Sequence, residues 1–137
     1  MTPRAQNRTT PCNRQQGAQR LRQAEGFLRW AQKALDDKGE EVNLNVAALL
    51  AVQAGIAASD ALCGKALGYY SRGQQHGDAA NLIRSIQPGG AELASTFRQL
   101  AGNKDNAQYA PKTMGEASAK AAVRQAIELV SAAKAHS

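Results

Sequence analysis

Three observations predict an all-α helical bundle. Alanine supplies 28 of the 137 residues, while valine and isoleucine together supply nine. Alanine is the best helix former and β-branched residues favour strands, so this balance favours helix. Apolar residues then recur at spacings of three and four over most of the chain, which places them on one side of successive helices. Finally, glycines fall where helices should stop, at Gly39, Gly68 and in Pro88-Gly89-Gly90. The length fits one domain, and 43% hydrophobic residues are enough to rule out a wholly disordered chain. We expect four to five helices in an up-down arrangement over residues 19–137, preceded by a disordered basic arm over 1–18.

The first helix is expected from about Gln19 to Asp37, with Leu21, Ala24, Leu28, Ala31 and Leu35 as its apolar stripe and Phe27, Trp30 and Ala34 widening it. Glu40 and Glu41 form a short acidic link. The second helix, from Asn43 or Asn45 to Leu67, is apolar on most sides and is therefore the central one. Its small residues, among them Ala47, Ala51, Ala54, Gly55 and Ala58, admit close neighbours. Ser71 and Gln74 fit a capping box that starts a third helix at Arg72, running to about Ile86. A fourth helix is expected from Ala91 to Leu100 or Ala101, then a loop from Gly102 to Gly115. The last helix, from about Glu116 to Ala135, turns Ala119, Ala122, Val123, Ala126, Leu129, Val130 and Ala133 inward.

The formal charge of +6 is unevenly placed. Residues 1–24 carry Arg4, Arg8, Arg14, Arg20 and Arg22 and no acid, while the remainder of the chain is close to neutral. Such an arm suits RNA or another polyanion, although a solubilising tail has the same composition. Aromatic residues, at 4%, are too few for an extended base-stacking platform. No signal-peptide core is present, and the longest apolar run, Val46–Val52, falls short of a membrane span. Cys12 and Cys63 are read as reduced thiols, one in the arm and one in a helix. These features predict a cytoplasmic protein with no membrane partner. Two cysteines and two histidines make no closed zinc set, and no cofactor is expected. Phosphate-loop, dinucleotide-binding and nucleophile-elbow motifs are absent from the sequence. No helix carries the basic or amide-rich face with which a helix-turn-helix reads DNA.

Three groups of polar residues break the apolar pattern. Asp60, with Gln53, lies on the same helical stripe as Val46, Leu50, Ala57, Gly64 and Leu67, a face expected to be buried. A buried carboxylate must be paired or protonated, so Asp60 either orients a catalytic His or Arg or makes a structural hydrogen bond. Arg72 and His76 are four apart at an expected helix start, where amides and the dipole favour an anion. They could hold a phosphate or, with His76 moving a proton, cleave a phosphodiester. Equally, Arg72 could pair with Asp78 or Glu40. Lys104, Gln108 and Tyr109 precede the last helix, where Tyr109 either faces an anion beside Lys104 or plugs the end of the bundle. A small-molecule pocket around Asp60, Arg72 and Tyr109 is a further alternative.

Taken together, Val46 to Leu62 with Asp60 near its end, Ser71-Arg72-Gly73-Gln74-Gln75-His76, Lys104-Asp105-Asn106-Ala107-Gln108-Tyr109 and the final helix through Ala126-Ile127-Glu128-Leu129 resemble small HEPN-domain proteins of actinobacterial type. The resemblance spans about residues 20–135. It implies a helical bundle, a homodimer, and one of two activities. Active members are metal-independent endoribonucleases whose arginine and histidine meet in a cleft at the dimer interface. Others are catalytically inactive and serve as binding partners, often beside a nucleotidyltransferase or an antitoxin. Arg72 and His76 would be the catalytic pair, supported by Asp60, Gln53, Lys104 and Tyr109. The three residues between Arg72 and His76 are one short of the active pattern. Lys104 and Gln108 stand where many members have arginine and an acid. These departures favour a non-catalytic or weakly active binding module, with the endoribonuclease as the alternative.

Overall fold

The computed structural model describes residues 8–72, 76–108 and 113–136, with the side chains of His76 and Gln108 outside that description. The chain is a helical bundle of α1 (Arg14–Asp36), α2 (Asn43–Leu67), α3 (His76–Arg84), α4 (Gly90–Ala101), a short α5 (Lys104–Gln108) and α6 (Glu116–Ala135). Two three-residue strands, β1 (Thr9–Pro11) and β2 (Tyr69–Ser71), add a small antiparallel ribbon.

α2 is the centre. Thirteen of its 25 residues are buried, most of them Ala, Gly or Ser. Small side chains let neighbouring backbones approach, and α1, α6, α4 and α5 all pack on it. Gly55 shows how closely: an added Cβ would lie 2.3 Å from Leu100 Cδ2 and 3.4 Å from Leu129 Cδ1, so α4 and α6 both press into that position. By length and hydropathy α2 could cross a bilayer, but 67% of its most apolar window is buried inside the bundle, where it serves as the core helix. α1 packs most extensively against α2 and presents Gly17, Ala24 and Ala31, seven residues apart, as its buried line. The inward residues of α6 are Ala119, Ala122, Val123, Ala126, Leu129, Val130 and Ala133, as the sequence periodicity predicts. Phe97, Ile83, Leu100 and Leu129 are the largest fully buried side chains.

The expected disordered arm over 1–18 is corrected from residue 8 onward; residues 1–7, including Arg4, lie outside the described residues. Thr9, Thr10 and Pro11 pair with Ser71, Tyr70 and Tyr69. Threonine and tyrosine favour strand, which the overall helical composition concealed. Gly68 makes the pairing geometrically available. Its left-handed φ of 86° ends α2 and turns the chain into β2, and its carbonyl accepts from Cys12 N at 2.9 Å. Cys12 is not in a free arm but 5% exposed. Its sulfur sits over Gly64, where an added Cβ would come within 2.4 Å of it.

α1 therefore begins five residues before the expected start. Asn13 caps it: Asn13 Oδ1 accepts from Gln16 N at 2.8 Å, and Gln16 Oε1 accepts from Asn13 N at 2.9 Å. This is a reciprocal capping box. The third helix is also shorter than expected. Ser71 belongs to β2 rather than capping a helix, and α3 starts at His76; Gln74 lies outside the described residues.

Loss of one cap typically costs about 1 kcal/mol. Asn13→Ala is expected to lower unfolding free energy by about that amount and to speed amide exchange in the first turn of α1 only. Urea denaturation and exchange measurements check this; unchanged exchange at Gln16 would show that the box does not hold the turn.

Candidate functional site

The residues singled out by sequence separate into two ends of the bundle. Asp60 lies near the C-terminal end of α2, and its partner is Arg20 of α1. Arg20 Nε donates to Asp60 Oδ2 at 3.0 Å, and Arg20 Nη1 donates to Gln23 Oε1 at 2.7 Å. Arg20 is thus a core-flanking ion-pair residue rather than part of a free basic arm, and Asp60 is committed to it. The stripe carrying Asp60 is the flank of α2 rather than its innermost face: Val46 is 41% exposed, and Leu50 and Gln53 are half-buried.

Burial raises the Asp60 carboxyl from 3.8 to about 6, against the opposing pull of the Arg20 charge and hydrogen bond. One turn on, burial pushes the Cys63 thiol up to about 12, with the Asp60 charge adding and Ser59 opposing. Cys12 is likewise raised, first by burial and then by Asp60. Both thiols are therefore protonated near neutral pH and poorly nucleophilic. The Ser59 hydroxyl, 2% exposed, makes no hydrogen bond of good geometry. The Arg20–Asp60 pair ties the start of α1 to α2, and Cys12 over Gly64 brings the ribbon to the same helix.

Lys104 lies elsewhere. It opens α5, whose Ala107 carbonyl accepts from Asn45 Nδ2 at 3.5 Å, while Asn45 Oδ1 accepts from Met114 N at 3.1 Å. Asn45 is in the first turn of α2, 15 residues before Asp60, or about 22 Å along the helix axis. Asp60 and Lys104 therefore do not share a pocket, which corrects that expectation. Tyr109 lies outside the described residues, as does the side chain of Gln108.

The end of the bundle at which α2 finishes carries a polar cleft that the sequence did not reveal. Thr9 opposes Ser71 and Pro11 opposes Tyr69, so these four side chains share one face of the ribbon. Tyr70, on the other face, packs against the core. The cleft, of about 320 Å³, lies between the first face and α3. Arg8, Tyr69 and Ser71 line one side; Asp78, Asn81 and Leu82, on one side of α3, line the other. Arg72 follows directly, its side chain exposed and its N–H donating to the Arg8 carbonyl at 3.4 Å. Arg72 follows β2 and lies outside α3, so it does not share a helix face with His76, which opens α3. The i,i+4 geometry expected for that pair does not form.

A second depression at the same end, of about 370 Å³, is lined by Arg14, Gly64, Lys65 and His136. Lys65 Nζ donates to the Ala133 carbonyl at 3.0 Å, and Arg14 is exposed at the start of α1. Arg22 is exposed two turns further along α1. The cationic groups thus come from four separate stretches of sequence, while Asp78 is the acid in the cleft. Among the described residues no three of His, Cys, Asp and Glu come together as metal ligands. No protein-family model, curated protein or solved structure matches this chain.

The folded Asp60 carboxyl titrates above its unfolded value, so the native state binds this proton more tightly. Its contribution to stability is complete below about 3.8 and is lost as pH rises through about 6. Holding the carboxylate ionised at pH 7 therefore costs roughly 3 kcal/mol at most. Asp60→Asn is expected to gain stability relative to the native protein between pH 4 and pH 7, by up to about that amount less the loss of the Arg20 pairing. Urea midpoints across this range read the difference; parallel pH profiles would contradict the assignment.

Proposed function

We propose that the chain is a non-catalytic RNA-binding module of the HEPN-like kind, working in the reducing cytoplasm. The observation that carries this is the convergence of Arg8, Arg14, Lys65 and Arg72 on one end of the bundle around two open depressions. Phosphate contacts from arginine and lysine supply most of the affinity of such proteins, and they do so without base specificity. Tyr69, 38% exposed in the cleft, offers a face for one unstacked base, and the exposed Asn81 offers its amide nitrogen to base or ribose. The position of Arg72 outside α3 and the engagement of Asp60 by Arg20 favour binding over cleavage.

A labelled single-stranded RNA of about twelve nucleotides should bind with an affinity that falls steeply with salt. Arg8→Ala, Arg14→Ala and Arg72→Ala should each weaken binding severalfold and reduce the salt slope by about 1, whereas Lys104→Ala should change neither. Fluorescence anisotropy at several salt concentrations checks this. Equal effects from Lys104→Ala would remove the proposed site. Cleavage of the RNA in EDTA that disappears in Arg72→Ala, His76→Ala would replace the binding reading with the endoribonuclease.

A further inference from the structure

The cleft between the ribbon and α3 holds one group that phosphate binding does not explain. Asp78 lines it beside Arg8, yet forms no ion pair among the described residues. A carboxylate repels phosphate, so here it opposes the affinity that the arginines supply. Asp78 lies in the first turn of α3, where a negative charge also favours the helix dipole. Any side of that turn serves the dipole; Asp78 is half-buried on the side that lines the cleft. Asn81 is one turn on and lines the same cleft. Its Oδ1 accepts from Arg84 Nη1 at 3.4 Å and from Arg98 Nη2 at 3.5 Å. The two guanidinium donors fix which way the amide points and leave its nitrogen as a donor. α3 therefore offers the cleft one N–H donor and, three residues earlier, two carboxylate acceptors. Tyr69 lines the opposite side, and about 320 Å³ is a volume at the small end of ligand pockets, suited to one base.

We propose that this cleft selects guanine, with Asp78 as the residue that determines base identity. The inference rests on the RNA-binding reading above and adds a base preference to it. The pairing edge of guanine presents, in order, the O6 acceptor and the N1–H and N2–H donors. Asn81 Nδ2 donates to O6, and the Asp78 carboxylate accepts from N1–H and N2–H. No other RNA base presents an acceptor followed by two donors. Adenine offers a donor and then an acceptor, cytosine a donor and then two acceptors, and uracil one donor between two acceptors. Each of these sets at least one acceptor against the carboxylate, which is repulsive. The Tyr69 ring supports the face of the base, and Arg8 takes a phosphate. Hydrogen bonds to an ionised carboxylate are the strong ones, so the carboxylate supplies most of the discrimination.

The test uses the full chain and labelled single strands of about twelve nucleotides, all uridine except for G, A, C or U at one central position. At one salt concentration the guanine strand should bind about tenfold or more tighter than the other three. Asp78→Asn exchanges two acceptors for one acceptor and one donor, which matches the edge of uracil. Its guanine preference should fall to about twofold or less, while its affinity for the all-uridine strand rises because the repelling charge is gone. A purely structural Asp78 would change the melting temperature and leave base preference unmoved. Trp30→Ser, in the apolar groove that α1 and α2 form with Phe27 and Leu50, is the control and should alter neither affinity nor preference. Four strands bound equally tightly, or a guanine preference that survives in Asp78→Asn, would overturn the inference and leave RNA binding standing. GMP bound in preference to AMP with no strand bound would support guanine selection and overturn the RNA reading. No binding of any strand or of either nucleotide would overturn both.

Discussion

The burial of α2 is the constraint on which the rest of the molecule depends. A helix with no charge over its first seventeen residues cannot stand in water, and with so many alanines it cannot fill a wide core. Its neighbours must therefore come close. Leu100 and Leu129 reach the space at Gly55, and Cys12 covers Gly64. Buried alanines lose little side-chain entropy on folding, so close backbone approach is gained at low entropic cost. The same property makes α2 intolerant of added volume, since an inserted methyl in a close-packed interior displaces a neighbour.

Polar chemistry is confined to what that packing leaves at the ends. Where α2 finishes, Gly68 turns the chain, the ribbon forms, and Arg20 meets Asp60. The ion pair is half shielded, so its Coulomb attraction is offset by desolvation of the carboxylate, which is why the carboxyl titrates near 6 despite an arginine at 3.0 Å. Its main consequence is positional: it fixes α1 against α2 and, through Cys12, seats the ribbon. The cleft beside the ribbon exists because these contacts hold Arg8 and Tyr69 opposite α3. At the other end, Asn45 ties down the segments on either side of residues 109–112.

Much of this was legible in the sequence where one physical rule acted alone. The period of apolar residues identified the inner face of α6 residue by residue, and the span of α2 followed from its hydropathy. Errors arose where local and distant signals competed. Asn13 and Gln16 form a capping box, but they sit in a segment whose arginines and prolines dominate its composition, so the start of α1 was displaced. Ser71 and Gln74 have equally good capping spacing, yet Ser71 is drawn into pairing with Thr9, a partner 62 residues away. Asp60 was identified as a carboxylate needing a partner; that the partner is Arg20, 40 residues earlier, follows only from the antiparallel packing of α1 on α2. The separation of Asp60 from Lys104 follows from the direction of α2, which no local motif encodes.

The most direct test of the functional account is an amide-shift map of the isotopically labelled protein titrated with short single-stranded RNA. The account predicts that shifts concentrate at Arg8, Thr9, Tyr69, Ser71, Arg72 and Asn81, with a second group at Arg14 and Lys65. It predicts none on the α1–α2 groove around Trp30 or at α5. Shifts centred on Lys104 and Asn45, or on Trp30 and Leu50, would contradict it and move the binding surface away from the end of the bundle where the arginines gather.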